Sequence, residues 1–464
     1  MKKLIFILTL VVTFSCSSDL TDMNIDTKNA TTVPGETLFS NAQKNLVDYM
    51  VSTNVNVNIY KMFAQYWTET TYTDEANYDV QNRAIPRNTW NRLYRDVLKD
   101  LDESSKIITE EGDGGLPTVK ANKLAIIEIM KVYTFKVLVD TFGNIPYSEA
   151  LDADNVNPVY DDAAGIYSDL LARLNAAISG LSASAGSFDG ADLIYNGNVS
   201  NWIKFGNAIK LEFGIMMNDA STTASGAAGT FTSIADNANF QYLDATPNTN
   251  PIWVDLVQSG RSDFVIANTL VDKMIALNDP RITAYMAENL GAGVFVGGPY
   301  ADNNSFSAYT HVSDKVQAPD FPGTIFSYSQ TELLKAEAVK KGLLSGSAQT
   351  FYNNGVTASI ETWTGDSSLA ASYLANDAPY DDANWQNSIG TQAWLALYNR
   401  GFEAWTTWRR LNYPTLNTAV ISGLPVPTRL TYPVSEQTLN GANYTAAAAA
   451  IGGDNLSTPL FWDN

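Results

Sequence analysis

Cysteine and histidine are nearly missing, with one of each in 464 residues. Such scarcity excludes a disulfide framework, a zinc site of Cys and His ligands and an HExxH metalloprotease. A Ser-His-Asp or Cys-His enzyme would rest on His311 alone, which lies among Tyr309, Thr310 and Asp314 and reads as a surface residue. Charge is scarce too, 17% of the chain against about 25% in an average globular protein. The balance is acidic, 49 Asp and Glu against 29 Lys and Arg, and the net charge of −20 repels nucleic acid and anionic lipid. No GxxxxGK[ST] loop and no GxSxG elbow occurs, and the glycines from Gly291 to Gly298 lack GxGxxG spacing. Asp152 and Asp154 alternate as in a calcium loop, but Val156 follows and no Gly or terminal Glu falls in register. The sequence therefore calls for no metal and no cofactor. Carboxylates are numerous enough for a glycosidase pair, yet no local signature singles one out.

Aromatic rings are what the chain has in quantity: 10 Trp, 23 Tyr and 19 Phe. A sugar presents apolar C–H faces edged by hydroxyls, so flat rings interleaved with Asn, Asp, Gln and Arg suit it. Residues 65–74 offer that mixture around Trp67, Tyr72 and Asp74, and Tyr78 follows. For Trp67 and Tyr72, packing and ligand stacking are evenly balanced. Trp202, Trp363, Trp394 and Trp405 fall on helical stripes and read as core. Residues 220–328 are rich in Gly, Asn, Thr, Ser and Pro, with few long periodic runs and many aromatics. So much irregular chain is either disordered or functional, and the rings argue for ordered, functional loops. The expected glycan site sets Trp67, Tyr72 and Tyr78 against Trp253, Tyr300 and Tyr309, with Asp74, Asn250 and Asp255 as polar partners.

At the N-terminus, Lys2 and Lys3 precede an apolar run from Leu4 to Val12, far short of the ~20 residues that span a bilayer. Residues 1–15 read as an export signal. The run ends Thr13-Phe14-Ser15-Cys16, which resembles a bacterial lipobox and makes Cys16 the expected lipidation site. Residues 16–34 are polar and read as a tether, leaving 35–464 as a single domain.

Within that domain, Leu93, Val97 and Leu101 recur at helical spacing, and residues 120–139 are apolar almost all round, which predicts a buried helix. Ile166, Leu170, Leu174, Ile178 and Leu181 make a third stripe, opened by Asp161 or Asp162. Ser200 is the expected cap of a fourth helix that turns Trp202, Phe205, Ile209, Phe213 and Met216 inward. Ser329 and Glu332 read as a capping box ahead of Leu333–Lys341, whose partner helix carries Tyr352, Val356, Ile360 and Trp363. Helix pairs joined by short turns predict a tetratricopeptide-like scaffold, although the repeat consensus is absent.

Several segments resemble the SusD/RagB outer-membrane lipoproteins. Asp140-Thr141-Phe142-Gly143-Asn144-Ile145-Pro146-Tyr147-Ser148-Glu149-Ala150 is similar to a turn of that family that follows a buried helix. Further similar segments run in order: 195–198 and 202–207, Asn278-Asp279-Pro280-Arg281, 327–330 with 336–338, Gly401–Trp405 with Arg409-Arg410, and Pro427–Pro433 with Glu436 and Asn440. The resemblance spans about residues 35–464. It implies a mainly α fold of four tetratricopeptide-like helix pairs, with little β structure and a loop-rich ligand side. It also implies a non-catalytic, surface-exposed outer-membrane lipoprotein that captures oligosaccharide or polysaccharide and delivers it to a SusC-like TonB-dependent transporter. A peptide-binding RagB-type protein is the alternative, and a carboxylate-dependent glycosidase a more distant one. The family's shared motifs imply structural roles: Asp140 and Arg281 fixing turns, Arg409 and Arg410 pairing with acidic neighbours.

Overall fold

The computed structural model describes residues 33–463; the signal segment 1–15, Cys16 and most of the tether lie outside the described residues. Packed helix pairs dominate. The long helices are α1 (Gly35–Val51), α2 (Lys99–Glu110), α3 (Pro117–Phe142), α4 (Ala163–Gly180), α5 (Val199–Met216), α6 (Ala220–Gly229), α7 (Tyr328–Lys340), α8 (Ala348–Thr364), α9 (Trp385–Ala396) and α10 (Gly401–Leu411). They pack as α1 on α2, α3 on α4, α5 on α6, α7 on α8 and α9 on α10. The mainly α fold inferred from the sequence is the observed one.

Local chemistry sets the helix ends. Pro117 opens α3, where its missing N–H costs nothing, and Gly143 stops it at φ +85°, a conformation a side chain resists. Asp162 caps α4 by accepting from Gly165 N–H. Two expected caps are displaced by two residues: Asn198, not Ser200, caps α5, and Ser327, not Ser329, caps α7. Ser329 instead donates to the Gly355 carbonyl of α8, at 2.7 Å. The Leu93–Leu101 stripe is buried, but residues 92–98 wind as a π-helix before α2.

The anticipated core tryptophans Trp202, Trp363, Trp394 and Trp405 are all buried. Around Trp405 the packing is tight enough that a Cβ on Gly401 would fall 2.5 Å from the backbone of Tyr60 and Lys61. Charge is buried here as well. Arg281 donates to both oxygens of Asp279, at 2.8 and 2.6 Å, and reaches Ser359 and Gln392. It ties α8 and α9 to the turn at 279, more than fixing the turn alone. Asp140 accepts from Lys136, Tyr167 and Trp462, so it is an interhelical anchor and not a turn residue. Arg410 pairs with Glu337 at 2.7 Å as expected. Arg409 does not follow suit: it donates to the carbonyls of Asp140 and Thr428 and lies between the rings of Trp405, at 3.6 Å, and Trp462, at 4.8 Å.

Residues 220–328 are more regular than their composition suggests. They hold α6, a helix at Asn268–Ala276 and short strands. Those strands pair with distant ones: β1 (Trp67–Glu69) with β5 (Phe264–Ile266), and β4 (Ala238–Phe240) with β6 (Gly323–Phe326). β2 (Ile145–Pro146) and β3 (Tyr160–Asp161) form a third small ribbon. All are antiparallel.

Candidate functional site

The β1–β5 ribbon brings two polar loops to one edge. Trp67 pairs with Ile266 and Glu69 with Phe264, so the chain leaving β1 and the chain entering β5 emerge side by side. The pairing continues one step further, from Thr70 N–H to the Asp263 carbonyl at 2.9 Å. Between these loops and the turn after α1 lies a cleft of about 180 Å³, lined by Asn54, Glu69, Tyr72, Arg83, Asp255, Arg261, Asp263 and Phe264 among others.

Tyr72 is the exposed ring of this cleft, 64% accessible, with φ at +58°. Left-handed backbone at a bulky residue stores strain, and strain of this kind concentrates at ligand sites. The Arg83 guanidinium lies 5.8 Å from the ring centroid and leaves much of the ring to solvent. On the opposite loop, Arg261 pairs with Asp263, whose hydrogen bond raises the guanidinium pKa further. Asn54 donates to Asp255 at 3.4 Å, and burial raises the Asp255 carboxyl above its ordinary range.

Beneath Tyr72 lies a buried carboxyl pair. Glu69 accepts from Ala76 N–H at 2.9 Å and sits beside Glu75, which pairs with Arg83. Burial, and then the neighbouring carboxylate, push the Glu69 carboxyl well above its ordinary range. One arginine facing two buried acids favours a single negative charge between them.

The ribbon that builds the cleft also removes several expected ligand residues from it. Trp67 is 1% exposed, because all three residues of β1 are covered; its Nε1 donates to the Tyr398 hydroxyl at 3.0 Å. Tyr78 packs on Phe63 and Tyr300, and Tyr300 donates to the Met62 carbonyl at 2.9 Å; both are buried. Asn250 is fully buried, capping the turn at Ile252 and donating to the Phe321 carbonyl at 2.7 Å. These four are core, and their polar atoms are spent on the fold. Trp253 and Tyr309 are half-buried and Asp74 is exposed, but none of the three lines the cleft. Of the nine, the cleft brings together Tyr72 and Asp255.

Arg83, Glu69, Arg261 and Asp263 were not singled out from the sequence. The one available signal was Gly260-Arg261-Ser262-Asp263, a charged pair in otherwise uncharged loop chain. Among the described residues no cluster of three or more His, Cys, Asp or Glu is arranged to hold a metal ion. His311 stacks on Phe306 at 3.8 Å, with its Nε2 2.8 Å from the Phe306 carbonyl, away from the cleft lining.

A family model described as SusD-like, starch-binding and associating with the outer membrane matches residues 26–433. Among solved structures, a chitin-binding protein superimposes with a TM-score of 0.80 at 25% identity, over 92% of this chain and 99% of its own. A SusD homolog from Bacteroides uniformis gives 0.80 at 24% identity, over 92% and 99%. A chitin-binding SusD homolog from Flavobacterium johnsoniae gives 0.78 at 20% identity, over 93% and 98%. No match is found among curated protein sequences.

Proposed function

The chain belongs to the SusD-like family, and on that premise we propose that it is a glycan-binding protein whose cleft beside Tyr72 holds oligosaccharide without cleaving it. The observation that carries this reading is the ring itself: an exposed tyrosine, held at positive φ, bordered by Arg83, Arg261, Asp263 and Asp255. A flat face with hydrogen-bonding groups around it meets the two surfaces of a sugar, C–H and hydroxyl. The name of a structural relative as chitin-binding supports a polysaccharide ligand.

The buried acids support binding over hydrolysis. A glycosidase keeps its two carboxyls about 5–10 Å apart across the scissile bond. Glu69, which lines the cleft, and Glu75 behind it lie directly against one another, with Arg83 engaged on Glu75. That arrangement leaves no room for a glycosidic oxygen between them.

Around this site the reading extends to a lipoprotein anchored through Cys16 to the outer membrane, passing glycan to a SusC-like transporter. The family description, which names association with the outer membrane, supports it. No helix among the described residues is long and apolar enough to cross a membrane.

Calorimetric titration with starch and chitin oligosaccharides, comparing wild type and Tyr72→Ala, tests the site. One stacked ring contributes about 0.5–1.5 kcal/mol, so affinity should fall about 2- to 12-fold. Equal affinities would remove Tyr72 from the site. Membrane fractionation of cells expressing wild type or Cys16→Ser tests the anchor: the variant should leave the membrane fraction.

A further inference from the structure

A second cavity, of about 220 Å³, shares no lining residue with the first. It opens where the C-terminal end of α8, the turn between α9 and α10, and the chain leading into β6 meet. One wall is aromatic: Phe321 and Trp363 lie with centroids 5.8 Å apart and planes inclined by 31°. Its volume, below the about 300–1,000 Å³ of pockets for drug-sized ligands, is enough for one six-membered ring.

The polar side of the cavity is unusual for this acidic protein. Lys315 and Arg400 line it, and no carboxylate does among the described residues. Lys315 is surface-exposed, donates to the Trp363 carbonyl and lies 5.9 Å from the Trp363 ring. Arg400 is buried, donating to Ser327, Gln330 and the Ile325 carbonyl; its one acidic neighbour, Glu403, is 3.6 Å away. Arg400 Nε has no hydrogen-bond partner, and neither has Asn399 Oδ1, though both atoms are buried. Asn399 is held at φ +68°, a conformation Asn tolerates better than most side chains. Both unpartnered atoms are sealed from solvent, so what the cavity presents to a ligand is the Trp363 and Phe321 rings, Lys315 and a neutral polar lining. The first cleft differs: its lining mixes Glu69, Asp255 and Asp263 with Arg83 and Arg261.

We propose that the cavity between Trp363, Phe321, Asn399, Arg400 and Lys315 is a second binding site, for a single pyranose ring bearing a carboxylate, as in a uronic acid. The ring's C–H face lies on Trp363 and Phe321, and the carboxylate meets Lys315 at the mouth. This site is independent of Tyr72, so it stands or falls apart from the proposed polysaccharide cleft.

NMR titration of the full-length protein with D-glucuronate and with D-glucose tests it. Glucuronate should bind in the millimolar range and about tenfold more tightly than glucose. Lys315→Met should remove that tenfold preference, and Phe321→Ala, which removes one wall of the cavity, should weaken both sugars. Tyr72→Ala should leave glucuronate binding unchanged. The proposal is overturned if glucuronate fails to bind at tens of millimolar, if the two sugars bind alike, if Lys315→Met keeps the preference, or if Tyr72→Ala abolishes binding.

Discussion

Replacing Glu69 by Gln isolates the buried carboxyl pair beneath Tyr72. In the folded protein, burial and the adjacent Glu75 hold the Glu69 carboxyl protonated above the ordinary carboxylate range. In the unfolded chain the same group ionises near pH 4–4.5. Folding at neutral pH therefore takes up a proton, and the native state binds more protons than the unfolded one. By linkage, stability falls as pH rises through this window, at most about 1.4 kcal/mol per pH unit for one group. Between pH 5.5 and 7.5 that gives an upper bound of about 2.7 kcal/mol, and the facing Arg83 brings it down to roughly 1–2 kcal/mol. Gln carries the neutral shape without the titration: its oxygen still accepts from Ala76 N–H and its amide faces Glu75. One kcal/mol moves Tm by about 2–4 °C in domains of 150–250 residues, and by about half that in a chain of this size. Differential scanning calorimetry across the two pH values should show wild type losing about 1–4 °C relative to Glu69→Gln, with the variant the more stable at pH 7.5. Parallel Tm profiles would refute the reasoning, because they would mean that Glu69 is ionised in the fold and neutralised by Arg83.

Two further substitutions separate packing from recognition. Trp67→Ala removes a buried indole and the bond it donates to the Tyr398 hydroxyl; chemical denaturation should show a loss of about 3–5 kcal/mol, while the protein that remains folded keeps its oligosaccharide affinity. Arg281→Met leaves Asp279 buried without its guanidinium and should cost about 3–5 kcal/mol by the same measurement; adding Asp279→Leu should recover much of it, since a buried pair replaced as a unit is often neutral.

The scaffold was legible in the sequence wherever burial repeats with helical period. The stripe from Ile166 to Leu174, the all-apolar run before Asp140 and the inward face of α5 are the core that the pattern implies. Caps were legible only to within two residues, since Ser and Asn are common near every helix start and only geometry selects among them. The cleft was half legible. Trp67 and Tyr72 stand five residues apart in the same polar threonine-rich segment, yet β-pairing with 264–266 buries one and a left-handed turn exposes the other. That pairing joins segments some 200 residues apart, and no local pattern encodes it. Arg83 and Arg261 escaped notice for the same reason, as each becomes a cleft residue only through the loop it meets.

The sandwich of Arg409 between Trp405 and Trp462 carries a consequence for how the protein is made. Trp462 also donates to Asp140, 322 residues earlier, at 3.0 Å. Until the segment carrying Trp462 has been made, one face of a buried guanidinium and one bond to a buried carboxylate are missing, at the junction of α3 and α10. The amino-terminal helices cannot reach their final electrostatic balance alone, so the fold is sealed from its tail. Trp462→Ala should leave a chain that collapses but does not lock, taking up hydrophobic dye at neutral pH.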